Sequence, residues 1–380
     1  MVISIRPGDR DSFNDLSKLK IYHKKGIIST PNRTVMKYDL NAKNELGADI
    51  PLTRASKCFT LQEVINPDKL TRILTENGYM AEVLSDVRSS LNKIGTPESL
   101  VLFYPSLTND ALTSLMKLKK QNDFTEFFCD VSNFLGFESV MLPTFNDPMA
   151  TANLVKKKNL QWIPVLNLNE KDMTIFTSQF NDCVNIGEQD VPILSFKFVQ
   201  YPSANKAYDL IMDNFDVLHE KGIASMIVDA PRMLYNQASL DVSTSHYGSF
   251  FTADLIAEKY SGGGGGSKKT PRLFCKNDLV TSQIDLSEEK FDLDREIQIF
   301  DGDPKLQDLL RNVADDSLTK KDWKDGRPKY LSRVHENVQT RIEFNDLQKN
   351  ISSNSAKDYL KDKPDMNTVV SAHLRKRLEK

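Results

Sequence analysis

The chain is poor in residues that staple or ligate. Four cysteines, Cys58, Cys129, Cys183 and Cys275, are spread over 380 residues without a CxxC pair. That excludes a disulfide framework and leaves reduced, buried thiols as the expectation. Five histidines, His23, His219, His246, His335 and His373, show neither HxH nor HExxH spacing, so neither a metal site nor a cofactor is expected. No apolar run reaches the ~18 residues a bilayer crossing requires. The opening MVISIRPGDRDSF turns charged too soon to hold the apolar core of a secretory signal. These absences make a cytoplasmic protein without membrane association the expectation.

Net charge is also scarce, at −2, but it is unevenly distributed. From Lys320 to Lys380 basic residues exceed acidic ones by six, 15 against 9, and RKR stands near the end. Such an excess fits an anionic partner, nucleic acid included, and equally a solvated helical face of mixed charge.

What the chain does have is rhythm. Apolar runs alternate with helix-like stretches between Leu100 and Pro304, and most runs end in a polar residue: Asn167, Lys197, Asp229, Glu258 and Asp301. The runs are LVLFYP from 100, SVMLPTF from 139, WIPVLNL from 162, VPILSFKF from 191, ASMIVDAP from 224, ADLIAEKY from 253, RLFCKNDLV from 272 and EIQIFDG from 296. Near-continuous apolar runs suit strands covered on both faces. Eight of them alternating with helices predict an α/β fold, a TIM-like (β/α)8 barrel, with a doubly wound open sheet as the alternative.

Three regions follow. Residues 1–98 read as a lead-in, with a β-hairpin formed by IISTP and TVMKYDL around Pro31-Asn32, then helical periodicity from LQEVINPDKL onward. Residues 99–304 form the barrel core. Residues 305–380 form a basic helical appendage. Within the core, SGGGGGS at 261–267 cannot pack and lacks the Lys-Ser/Thr of a phosphate-binding loop, so it reads as an engineered linker after a strand end.

A parallel barrel assembles its active site from the carboxyl ends of its strands, which turns those polar residues into catalytic candidates. Asp229 follows Met226-Ile227-Val228 and precedes Ala-Pro-Arg; it could serve as nucleophile or base, or merely cap a helix or pair with Arg232. Glu258 would add a carboxylate at the next strand end, and two carboxylates flanking one bond are what glycosidic cleavage requires. Lys197, inside ILSFKFV, must pair with a carboxylate such as Asp229, reach a strand end, or act as a Schiff-base amine. Tyr104, Asn167, Arg232, His246 and Asp301 are compatible with lining the same mouth. Asp147 and Asp278 belong to turn-like NDP and KND segments.

A hairpin leading into an eight-stranded barrel, an aspartate at a strand end in VDAPR and a basic appendage together resemble the tRNA-guanine transglycosylase superfamily, including its DNA-modifying relatives. The resemblance implies that Asp229 attacks a ribose carbon and releases a base, with Pro231-Arg232 similar to the family's Pro-Thr-Arg neighbourhood. The family's Ser-Gly-Gly-Phe-Gln segment and zinc-binding cysteine cluster are absent, which points to another base and to hydrolysis. The expected activity is therefore cleavage or exchange of an N-glycosidic bond, with a nucleic acid as partner. The alternatives are a small-molecule lyase or aldolase using Lys197, and a non-catalytic binding barrel.

Overall fold

The computed structural model describes residues 2–11, 17–37, 39–40, 46, 57–94, 98–168, 173–198, 217–230, 254–258, 273–277, 280–284, 292–314 and 327–361; for some of these, Asp229 and Glu258 among them, only the backbone is described. An antiparallel sheet opens the fold, with β1 (Ser4–Arg10), β2 (Ser17–His23) and β3 (Gly26–Ser29) in that order. The expected pairing of IISTP with TVMKYDL does not form. β3 pairs backward with β2, whereas β4 (Asn32–Arg33) and β5 (Val35–Met36) enter parallel ladders. Burial explains the difference: Arg33, Thr34, Val35 and Met36 are all buried, and a two-stranded hairpin would leave one face of that run in water.

Two parallel sheets form the centre. One has the order β5, β6 (Cys58–Ile65), β7 (Leu100–Leu107). The other has six strands in the order β4, β12 (Leu255–Glu258), β11 (Ala224–Ala230), β10 (Ile193–Phe198), β9 (Gln161–Leu168), β8 (Ser139–Pro143). Neither sheet closes on itself through the described ladders. Thr34 stands between them: its N–H donates to the Ile256 carbonyl (2.9 Å) and its hydroxyl meets that of Thr60 on β6 (2.9 Å). On the other side, β7 runs beside β8.

Three runs differ from their expected form. CFTLQEVI is strand β6, and helical structure begins only at Pro67; the first four of its residues are consecutively buried, as a two-face-covered strand requires. RLFCKNDLV contributes β13 (Leu273–Asn277), which pairs antiparallel with β14 (Val280–Ile284) and joins neither parallel sheet. EIQIFDG is not a strand: α7 (Leu293–Gln298) occupies it, started by the Asp292 side chain accepting from Arg295 N. The sixth expected strand, ADLIAEKY, does pair in parallel, as β12.

The connecting helices start where sequence chemistry dictates. Asn66 caps α1 (Pro67–Thr75), Thr108 caps α3 (Asn109–Leu118) and Asp147 caps α5 (Pro148–Lys157), each satisfying a backbone N–H in the first turn. Proline at the start of α1 and α5 suits positions whose N–H would be unbonded anyway. The helix expected from Asn109 to Leu135 is two, because Lys119 turns left-handed (φ 54°) before α4 (Gln121–Phe134). Between them in sequence or beyond lie α2 (Tyr79–Ile94) and α6 (Met173–Ile186).

Alternate strand residues separate two cores, as the two-residue period demands. Phe59, Phe103, Leu142, Trp162, Phe196 and Ile227 pack with the helices, where Phe128 meets Phe103 and Phe124 at ring separations of 5.8 and 4.8 Å. The opposite faces of both parallel sheets contribute Met36, Cys58, Leu102, Tyr104, Met141, Val165, Ile193, Met226, Val228 and Ala257 to a single second cluster. Ile3, Ile5, Leu19, Ile21 and Ile28 from the antiparallel sheet complete that cluster.

Among the described residues of the C-terminal region, three helices form: α8 (Pro304–Ala314), α9 (Arg327–Ser352) and α10 (Ala356–Lys361). They are tied into the fold. Asn337 donates to buried Asp39 (2.8 Å), Gln348 donates to the carbonyls of Ser29 (3.1 Å) and Pro31 (2.7 Å), and Ala356 N donates to Asp11 (3.1 Å).

Candidate active site at the strand ends

Register fixes which strand ends are neighbours. Across the six-stranded sheet, Asn167 pairs with Lys197, Lys197 with Val228 and Val228 with Ala257. In a parallel ladder such partners share a face, so Asn167 and Lys197 lie side by side on the face that carries the second core. The next pairing is Ala230 with Glu258, so β11 spends two residues where β12 spends one. Asp229 is the extra residue. A β-bulge of this kind releases a residue from the ladder and re-aims the strand, a device often found beside active sites.

Lys197 is half-buried, and its Nζ donates to Ser106 Oγ (3.1 Å) and to the Leu107 carbonyl (3.3 Å), with the ring centre of Tyr104 6.0 Å away. Two strands, β8 and β9, separate β10 from β7 in strand order, yet the lysine reaches the end of β7. A hydroxyl, a carbonyl oxygen and a π face all attract an ammonium. Tyr104 is buried in the same core, at 2% exposure.

Four predicted site residues therefore gather at adjacent strand ends in backbone terms: Asn167, Lys197, Asp229 and Glu258. Tyr104 joins them through Lys197. Asp301 does not belong with them; it lies in an exposed turn after α7, because the run before it is helix rather than strand. Arg232, His246, Asp278 and the SGGGGGS segment lie outside the described residues. Asp147 is a helix cap, as its turn-like setting implied.

Several polar groups that sequence reasoning passed over are structural. Asp254, 3% exposed, accepts from Ser225 N (2.8 Å), Ser225 Oγ (2.9 Å) and Thr30 Oγ1 (3.1 Å), and His219 Nε2 stands 3.3 Å away. This cluster lies at the N-terminal ends of β11 and β12, opposite the candidate mouth. Gln161 similarly clamps the first strand's approach, accepting from Ile3 N (2.6 Å) and donating to Ile3 O (3.0 Å). Glu296 accepts from Gln339 (3.1 Å) and meets fully buried His335 at 2.5 Å. Burial would raise the Glu296 pKa, but the His335 and Gln339 hydrogen bonds and His335's charge hold it below the usual carboxylate range. Half-buried Glu63 is likewise held low against its burial, by Lys69 and by Lys37 at 3.2 Å.

The thiols follow expectation where they are described. Cys58, Cys129 and Cys183 are free and buried, and burial pushes each up to about 12. Protonated at neutral pH, they are poor nucleophiles. Among the described residues, no group of three or more His, Cys, Asp or Glu could hold a metal ion, and no helix is long and apolar enough to cross a membrane.

No family model matches the chain, and no curated protein matches it in sequence.

Proposed function

We propose that the chain is a (β/α)8 barrel enzyme that breaks or exchanges an N-glycosidic bond in a nucleic acid. Three features support a barrel. Thr34 bonds both parallel sheets, β7 runs beside β8, and inward residues from β5 to β12 share one apolar cluster. The reach of Lys197 from β10 to the end of β7 fits strands curved around a common axis. A flat sheet would separate strands three positions apart by about 14 Å, beyond a lysine side chain.

The observation that carries the functional reading is the bulge at Asp229, beside the β12 position that Glu258 occupies. In this reading Asp229 attacks or stabilises the anomeric carbon as positive charge develops there. Glu258 protonates the leaving base and then deprotonates the incoming water or base. Lys197, held by Ser106 and Leu107, positions the substrate, with Asn167, Tyr104, Arg232 and His246 lining the mouth. A base stacked in a duplex cannot reach such a mouth, so the enzyme extracts the nucleotide or acts on single strands. The basic C-terminal region supplies phosphate contacts.

The test is release of free base from single- and double-stranded RNA and DNA, read by chromatography and by aldehyde-reactive labelling of abasic sites. Asp229→Asn should lower release by about 10³-fold or more, and Glu258→Gln by about 10²-fold. Wild-type rates in Asp229→Asn would refute the assignment. Borohydride trapping on Lys197 with a carbonyl substrate would replace it with the lyase reading.

A further inference from the structure

The fold divides the basic C-terminal region between the two ends of the strands. Helix α9 is tied at two heights. Asn337 donates to Asp39 (2.8 Å), which also accepts from the N–H of Met36 (2.8 Å), the last residue of β5. Gln348 donates to the carbonyls of Ser29 and Pro31, just before β4. Along a helix, the step from Asn337 to Gln348 covers about 16 Å, close to the ~13 Å that extended chain covers from Asn32 to Met36. α9 therefore runs antiparallel to β4 and β5, with its first turns beyond the carboxyl ends of the strands. Arg333 lies about 6 Å, and Arg327 about 15 Å, along the helix axis from Asn337 toward that end.

Charge follows the same division. From Arg327 to Glu336 the helix holds three basic residues, Arg327, Lys329 and Arg333, against one acidic residue, Glu336. From Asn337 to Lys361 the balance is four against three, and there Lys349 pairs with Asp346 (3.3 Å) and Lys361 with Asp358 (2.6 Å). α10 belongs to the far end, where Ala356 N donates to Asp11. Two further cations stand at the mouth end. Lys37, directly after β5, and Lys69, in the first turn of α1, share the Glu63 carboxylate near the end of β6, and their side chains are 33% and 38% exposed. Strand order brings this end against the candidate chemistry: β12 pairs with β4, and β5 continues the same segment, so Lys37 and the start of α9 flank the side of the mouth where Glu258 stands.

We propose that the first two turns of α9, together with Lys37 and Lys69, form a rim that tracks the phosphates of one polynucleotide strand as it delivers a nucleotide to the mouth, and that α10 takes no part. The rim rests on the nucleic-acid reading above and confines its phosphate contacts to one end of the helix. Cations spaced along such a rim neutralise successive phosphates and release their counter-ions, which makes affinity fall with salt.

Fluorescence anisotropy of labelled single-stranded DNA and RNA of about 20 nucleotides, over a NaCl series, tests it on the full chain. Each phosphate contact adds about 0.7 to the slope of log affinity against log salt. Arg327→Gln, Lys329→Gln and Arg333→Gln combined should lower that slope by about 2 and weaken binding by about tenfold or more near 0.1 M salt. Lys69→Gln is the second probe, because it changes a half-exposed side chain and leaves Glu63 paired with Lys37: Tm should hold while the slope falls by about 0.7. Lys357→Gln combined with Lys361→Gln should change neither slope nor affinity. A slope unchanged in the α9 and Lys69 variants, an equal loss in the α10 variant, or a wild-type chain that binds neither oligonucleotide would overturn the proposal. Base release separates the rim from the chemistry. Salt-dependent binding that depends on the rim, with no base released by the wild type, keeps the rim and removes the glycosidic reading. Base release from oligonucleotides at wild-type KM in the α9 variant keeps that reading and removes the rim.

Discussion

Replacing Asp254 tests the account of how the strand starts are held. Its carboxylate is buried and receives three donors, Ser225 N, Ser225 Oγ and Thr30 Oγ1, while its own N–H donates back to Ser225 Oγ (3.1 Å). Thr30 Oγ1 in turn accepts from Leu19 N (2.8 Å), and Asn32 N donates to the Asp254 carbonyl (2.9 Å). The Asp254 side chain thus links the starts of β11 and β12 to Thr30 and, through it, to β2, while its backbone carbonyl holds β4. In Asp254→Ala the two hydroxyls can rotate toward other acceptors, but the Ser225 N–H cannot. A buried orphan donor costs about 1–3 kcal/mol, and loss of the ionic acceptor for the rest brings the total to about 3–5 kcal/mol. Asp254→Asn is different. Its carbonyl can take Ser225 N–H while its amide donates to Thr30 Oγ1, so about 1 kcal/mol is expected. Urea denaturation reads both as shifts in midpoint at unchanged slope. If the alanine variant falls within 1 kcal/mol of wild type, or the asparagine variant equals it, the network does not hold the strand starts.

The remaining expectations come from other parts of the fold. Phe128→Ala should cost about 3–5 kcal/mol in denaturant stability, since it empties a fully buried site against Phe103 and Phe124. Glu296 has a lowered folded pKa, so its contribution to stability is complete above the ordinary carboxylate value of 4.5 and is lost as pH falls through the lower folded value. Glu296→Gln should therefore flatten the acid limb of a Tm–pH profile below about pH 4.5, and an unchanged limb would remove that contribution. Cys58, Cys129 and Cys183 should react with a disulfide reagent at pH 8 only at the rate of global unfolding, which mass mapping of labelled peptides would show.

The parallel strands with long apolar runs were legible because burial on both faces leaves a mark that one sequence suffices to read: LVLFYP, WIPVLNL, VPILSFKF and ASMIVDA became strands. β5 lies within the expected strand TVMKYDL, but its parallel pairing with β6 was not legible, and β4 was missed altogether; between them Thr34 is buried because the Thr60 hydroxyl meets its own. Reading LQEVI as helix failed for a related reason. Glu63 breaks the apolar run of β6 and mimics an amphipathic period, whereas its charge is satisfied by Lys37 and Lys69 from outside the strand. EIQIF reads as a strand by alternation, with Ile297 and Ile299 on one face, but Asp292 supplies a helix start just before it, and Glu296, on the apparent polar face, is buried and paired by His335 on α9.

The candidate site shows the same division. Strand ends are visible in sequence because polarity returns where the apolar run stops, and Asn167, Lys197 and Asp229 emerge from that rule alone. Register is not visible. That Asn167 and Lys197 are lateral neighbours, and that Asp229 is an inserted residue facing a shorter partner strand, depends on ladder alignment, which no local pattern encodes. The bulge changes the argument about Asp229. Simple alternation puts it in phase with Ile227, on the helix-covered face, where a carboxylate would be structural or costly. An extra residue breaks that phase between Val228 and Ala230, and with it the objection to a carboxylate available at the strand ends.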